Sequence, residues 1–116
     1  MPHITIDYSA GLEDAFDSRG FATELHPLIA RTITTSAAAC KTRLRRVDET
    51  LVGEQALDGS VVHVLIAIQP GRTPEVRAQL TESVLALLGE HLKPADGHRI
   101  DTSVETRDLD PSYRRN

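Results

Sequence analysis

Val61-Val62-His63-Val64-Leu65-Ile66-Ala67-Ile68 is the stretch from which the rest of the chain can be placed. It is short for a helix and rich in β-branched side chains, which pack well on a pleated surface, so it reads as the central strand of a sheet. Downstream, Gln69-Pro70-Gly71-Arg72 turns the chain. Thr73 then offers a capping hydroxyl, and Pro74 stands at a first helical position, where a missing N–H costs nothing. Val76, Leu80, Val84, Leu87, Leu88 and Leu92 follow at helical spacing, with Glu75, Arg77, Gln79, Glu82 and Glu90 off that stripe. Pro94 and Gly97 stop the helix. Ile100, Thr102, Val104 and Thr106 alternate against Asp101, Ser103, Glu105 and Arg107, the pattern of a last strand, and residues 110–116 look like a loop.

Upstream of the central strand, Asp58-Gly59 is a tight-turn signal. Before it, alternation from Lys41 to Val52 predicts a strand that Gly53 ends, with Ala37-Ala38-Ala39 as a compact connection into it. Phe21, Leu25, Leu28, Ile29 and Ile33 share one helical face, and Thr34-Thr35-Ser36 close that helix. Pro27 removes a hydrogen bond and crowds the carbonyl of Thr23, which predicts a bend or an early break. Ser9-Ala10-Gly11, followed by Glu13, Asp14 and Asp17, separates this helix from a first strand, Met1-Pro2-His3-Ile4-Thr5-Ile6-Asp7-Tyr8.

The order strand, helix, strand therefore occurs twice. It predicts a single α+β domain over residues 1–116, built as a two-layer duplication of a β-α-β unit (residues 1–53 and 60–109) with a tail at 110–116. Each unit pairs its strands in parallel, and both helices cover one face of a four-stranded mixed sheet. With the other face left open, homo-oligomerisation is the physical expectation.

Composition narrows the function. The net charge is −4, from 13 basic and 17 acidic residues, and no basic cluster is longer than Lys41 to Arg46, which argues against nucleic acid as a partner. No apolar run approaches a membrane span, and no basic-then-apolar leader opens the chain, so a soluble cytoplasmic protein is expected. Cys40 has no second cysteine, and it reads as a small buried residue. His3, His26, His63, His91 and His98 lie at no recognised ligand spacing, so no metal is expected. His63 reads as a hydrogen-bonded core or interface residue. His3 faces away from the side shared by Pro2 and Ile4, and alternation gives it no role.

Pro2 carries the sharpest chemical possibility. Initiator methionine is removed when a small residue follows it, and the freed proline would present a secondary amine. An α-amino group titrates near 7.7–8.0, and burial or nearby cations lower that toward the range where a general base works best. Pro2 is also an ordinary residue at the start of a strand. Arg43, Arg45 and Arg46 can be read as charges protecting an edge strand, and Arg72 as an exposed residue of a turn.

Taken together, Met1-Pro2-His3 before a strand, Lys41-Thr42-Arg43 opening the second strand with Val47-Asp48 after it, and Gly71-Arg72 before a helix resemble the 5-carboxymethyl-2-hydroxymuconate isomerase family of the tautomerase superfamily. The resemblance implies a homotrimer with an amino-terminal proline at the floor of a pocket near a subunit boundary, and a place in aromatic catabolism. It also implies cofactor-independent ketonisation of a dienol carboxylate such as 5-carboxymethyl-2-hydroxymuconate. Carried over by position, Pro2 is the base, and Lys41 and Arg72 bind substrate carboxylates; Arg43 adds countercharge. Lys41 departs from the arginine expected there, and an ammonium is a flexible point charge where a guanidinium grips in two places. Two other readings share the architecture: an enzyme using the same amine as a nucleophile to form an iminium, and a non-catalytic oligomeric ligand-binding homologue.

Overall fold

The computed structural model describes residues 1–54, 59–95 and 99–116. Asp58 of the expected Asp58-Gly59 turn, the expected helix stop Gly97, and His98 lie outside the described residues. The elements in order are β1 (His3–Ser9), α1 (Ser18–Ile33), β2 (Lys41–Val47), β3 (Val61–Ile68), α2 (Pro74–Glu90) and β4 (Asp101–Asp108). Short 3-10 turns occupy Ala10–Leu12 and Ala37–Ala39.

The strands lie in the order β2-β1-β3-β4. β1 pairs parallel with β2, β3 pairs parallel with β4, and β1 joins β3 antiparallel, so the sheet is mixed. The stretch from Val61 to Ile68 is a central strand alongside β1. Its even-numbered residues Val62, Val64, Ile66 and Ile68 are wholly buried, as are Ile4 and Ile6 of β1. Phe21, Leu25 and Ile29 of α1 and Leu80, Val84 and Leu88 of α2 close that face, so both helices pack on one side of the sheet. Each buried side chain of this size contributes roughly 1.5–3 kcal/mol of transfer free energy, which makes this layer the core.

The helix ends follow local chemistry. The Asp17 carboxylate caps α1 by accepting the Gly20 N–H at 3.1 Å, and Thr73 caps α2 by accepting the Val76 N–H at 3.2 Å, with Pro74 opening that helix. Two expectations need correction. No break occurs at Pro27, and α1 runs through it to Ile33. Pro27 sits on the exposed side, where the freed carbonyl can meet water, while Leu28, Ile29 and Ile33 beyond it are buried. Their burial exceeds the roughly 3 kcal/mol cost of an internal proline.

The second strand is also shorter than expected, ending at Val47 and not near Val52. Its partner β1 ends at Ser9, opposite Val47, so the parallel pairing stops there; further on, the Thr50 carbonyl accepts instead from the Gly59 N–H at 3.2 Å.

The open face of the sheet is not the bare apolar surface that the run from Val61 to Ile68 suggests. Arg45 makes a two-pronged contact with Asp7 at 2.6 and 2.9 Å. His63 bonds Ser103 at 2.6 Å and Glu105 at 2.8 Å, and Glu105 in turn accepts from Arg107 at 2.9 Å. This polar ladder crosses all four strands, interleaved with Leu65 and Ala67.

Candidate active site

The topology brings six element ends together at one end of the sheet. β1 and β2 start there, β3 and β4 finish there, α1 ends there and α2 begins there. Pro2, Lys41, Arg72 and the segment after β4 are therefore neighbours, although they are spread over the length of the sequence. Pro2 is buried and Met1 half-buried. The Lys41 N–H donates to the Pro2 carbonyl at 3.1 Å, which extends the β1–β2 ladder and fixes the entry of the chain.

Arg72 follows Gly71, whose φ of +118° is a conformation that a side chain would resist. The turn this permits aims Arg72 back across the sheet end. Its Nη1 donates to the Gln69 carbonyl and its Nη2 to the Ile33 carbonyl, both at 3.1 Å, so the guanidinium ties the end of α1 to the loop before α2. Of the roughly five N–H donors a guanidinium carries, about three are left for a ligand. Lys41 is exposed and its Nζ donates to the Ala39 carbonyl at 3.3 Å.

The amine at Met1 titrates below the ordinary α-amino value. Partial burial is the largest cause, followed by the positive charges of Arg72, Arg115 and Lys41; Cys40 acts in the opposite sense. Of the cations expected near the chain start, Arg72 and Lys41 act on this amine, and Arg43 is not among the charges that do. Cys40 is itself buried, and burial raises its thiol pKa despite the chain-start amine and Lys41.

Arg43 lies apart from this group. It is exposed on the open face of the edge strand, and its Nη1 donates to Nδ1 of His3 at 3.2 Å. His3, given no role by strand alternation, sits in a three-residue relay: its Nε2 meets the Tyr113 hydroxyl at 2.9 Å, with the two rings edge to face at 5.6 Å. An arginine N–H can only donate, so Nδ1 accepts and the ring proton of neutral His3 is on Nε2, pointing at Tyr113. Burial, then Arg43 and Lys41, hold the His3 pKa below its ordinary value, which favours this neutral form.

Sequence reasoning does not single out Arg115. Its only signal there is a pair of arginines after an aromatic residue, in a segment that topology returns to the same end as Pro2.

At the opposite end, a cleft of ≈ 480 Å³ is lined by Glu13, Asp14, Phe16, Asp17, Glu90 and His91, among others. It is larger than the other clefts described but carries no feature expected of the chemistry at Pro2, and its carboxylates would repel an acidic ligand. His91 there is tied to Glu24, with Asp17 at 3.7 Å. Among the described residues no group of three metal-binding side chains gathers, and no helix is long and apolar enough to cross a membrane.

Two β-α-β halves, one mixed four-stranded sheet and two helices on one face define the tautomerase-like α+β fold. A solved 5-carboxymethyl-2-hydroxymuconate isomerase from Deinococcus radiodurans R1 superposes with a TM-score of 0.84 at 21% identity, over 99% of this chain and 89% of that one. A structure described as a fused 4-OT wild-type symmetric trimer matches with a TM-score of 0.74 at 17% identity, over 92% of this chain and 85% of that one. The chain belongs to the 5-carboxymethyl-2-hydroxymuconate isomerase family, an isomerase family whose model matches residues 2–116. A relative from Escherichia coli, 5-carboxymethyl-2-hydroxymuconate Delta-isomerase, is 26% identical over 113 residues, 97% of this chain and 90% of that protein.

Proposed function

We propose that this protein is a cofactor-independent isomerase that ketonises a 2-hydroxymuconate-type dienol carboxylate, such as 5-carboxymethyl-2-hydroxymuconate. With Met1 removed, the Pro2 amine takes the proton of the 2-hydroxyl and returns a proton to a carbon of the conjugated system. Electrons move from the enolate oxygen through the diene to that carbon, and a ketone results. Arg72 and Lys41 hold substrate carboxylates, and their charge keeps the amine neutral and able to accept a proton. Arg43 serves this site indirectly, through His3. The working form is a cytoplasmic homo-oligomer, a trimer by analogy with the symmetric trimer among its structural neighbours.

The observation that carries this reading is the meeting, at one end of the sheet, of buried Pro2, whose carbonyl accepts the Lys41 N–H at 3.1 Å, with Lys41 at the start of β2 and Arg72 just before α2. The family of the chain supports the reaction class. The test is ultraviolet-monitored decay of 2-hydroxymuconate and its carboxymethyl relative by wild type and Pro2→Ala, with the intact mass of the cell-purified protein measured alongside. The methionine mass should be missing, and Pro2→Ala should turn over the dienol at least about a hundredfold more slowly, the usual range for a positioned acid–base group. An active protein that retains Met1, or a Pro2→Ala variant as fast as wild type, overturns it.

A further inference from the structure

The segment after β4 is held by specific contacts, although it has no regular structure. Leu109 N–H donates to the Ile68 carbonyl at 2.8 Å, continuing the β3–β4 ladder by one bond. Asp110 then caps a turn, accepting from the Ser112 N–H at 2.8 Å and the Ser112 hydroxyl at 2.6 Å, while Tyr113 N–H donates to the Asp110 carbonyl at 2.9 Å. The turn delivers the Tyr113 ring onto His3, next to Pro2 in the chain.

The two arginines that follow differ. Arg114 Nη1 is spent on the carbonyls of Pro111, at 3.1 Å, and Tyr113, at 2.8 Å. No hydrogen bond or ion pair engages Arg115 among the described residues, and it is exposed at the same end of the sheet as Lys41 and Arg72. An arginine held near a site and left without a partner is a donor set waiting for an anion.

We propose that Arg115 is a specificity-determining residue that binds the extra carboxylate of a tricarboxylate dienol, and that Tyr113 docked on His3 is the latch that positions it. This rests on the isomerase reading above. A hydroxymuconate carries two carboxylates, which Arg72 and Lys41 can serve, and a carboxymethyl substituent adds a third. Arg115 supplies the third cation. Arg43 contributes from behind, because its N–H on Nδ1 of His3 keeps the Nε2 proton directed at Tyr113.

The experiment compares wild type, Arg115→Gln, Tyr113→Phe and the double variant on both dienols. Binding of propane-1,2,3-tricarboxylate and of glutarate, which undergo no ketonisation, is measured by calorimetry in parallel. Arg115→Gln should raise KM for the carboxymethyl dienol about tenfold and change it less than about twofold for 2-hydroxymuconate, with kcat little altered. Tyr113→Phe should show a smaller share of the same selective loss and add nothing in the Arg115→Gln background, as expected of two residues acting as one unit. Arg115→Lys should recover part of the effect.

Equal KM changes for both substrates, no change for either, or fully additive penalties would overturn the proposal. Arg115 is exposed, so a folding defect is not expected, and unchanged melting temperatures check that. If wild type turns over neither dienol, yet Arg115→Gln weakens the tricarboxylate and spares glutarate, the Pro2 reading fails and the Arg115 site stands. If turnover depends on Pro2 but the Arg115 variants show no selectivity, the Arg115 site alone fails.

Discussion

The two ends of the sheet are built from the same kinds of element, strand termini and helix termini, yet they hold opposite charge. Around Pro2 stand Lys41, Arg72 and Arg115, with Arg43 further along β2 on the open face. Around the other end stand Glu13, Asp14, Asp17 and Glu90, which outnumber the cations Lys93 and Arg46, the latter paired with Glu13 at 3.2 Å, and His91 there leans on Glu24. A molecule with a net charge of −4 has thus gathered cations where one of its amines sits. For an acidic substrate the cationic end attracts and the acidic end repels, so the larger cleft and the proposed chemistry lie in different places. On the proposed function, the sign of the field and not the size of the cavity marks the site.

The largest effect should come from changing the base while leaving the other end intact. Pro2→Ala is expected to slow turnover at least about a hundredfold, while His91→Gln, at the acidic end, should change it no more than about twofold. If His91→Gln proved as damaging as Pro2→Ala, the contrast between the two ends would be lost. Next in size is Arg72→Ala. Removing a guanidinium that makes charge-assisted bonds to a carboxylate should reduce kcat/KM by about 10- to 100-fold, mostly through KM. Glu13→Gln at the far end should leave it within about twofold. Raising the salt concentration should weaken wild type more than Arg72→Ala, because part of the variant's screened attraction is already gone.

Much of this arrangement is legible in the sequence, for reasons that differ by region. The run from Val61 to Ile68 and the stripe from Val76 to Leu88 disclose their elements because burial on one face imposes a period that a reader can count, although Leu92, counted with that stripe, lies past the helix end at Glu90 and bridges Phe16 instead. The cap at Thr73 and Pro74 is equally local. The end of β2 is not, because it is decided by where a different strand stops, at Ser9. Pro27 misleads for a related reason: its cost is local, while the burial of Leu28, Ile29 and Ile33 that outweighs it is tertiary. Pro2, Lys41 and Arg72 can be nominated because they sit at element boundaries, just before β1, at the start of β2 and just before α2. Arg115 and the His3–Tyr113 contact cannot, since the two residues of that contact lie 110 positions apart and meet only through the strand order.

A smaller effect is expected from the lysine that stands where the family resemblance leads one to expect an arginine. Lys41→Arg should lower KM for the dienol a few-fold without changing kcat, because a planar fork matches a carboxylate better than a point charge does. No improvement would mean that Lys41, already bonded to the Ala39 carbonyl, does not reach the substrate. The same change at an exposed position of the acidic end, Lys93→Arg, should be silent.

The smallest effect belongs to protons. His3 faces Arg43 and Lys41 from β2, the amine at the chain start, and the Tyr113 hydroxyl from the segment after β4. Its pKa is held below the ordinary 6.5, so just under that pH the unfolded chain takes up a proton that the folded one refuses. Stability contributed by this group is therefore complete above 6.5 and declines as the pH falls toward the folded-state value. His26, whose Nε2 meets the Thr42 hydroxyl at 2.7 Å on the buried side, is lowered by burial and adds in the same direction. His91, at the acidic end, faces the carboxylates of Glu24 and Asp17 where His3 faces cations. Nitrogen-15 spectra of the imidazoles should show neutral His3 with its proton on Nε2 and a midpoint below 6.5, and in Arg43→Ala the midpoint should rise as that positive charge is removed. A His3 that titrates at or above its ordinary value, or carries its proton on Nδ1, would mean that the relay from Arg43 to Tyr113 does not form in solution.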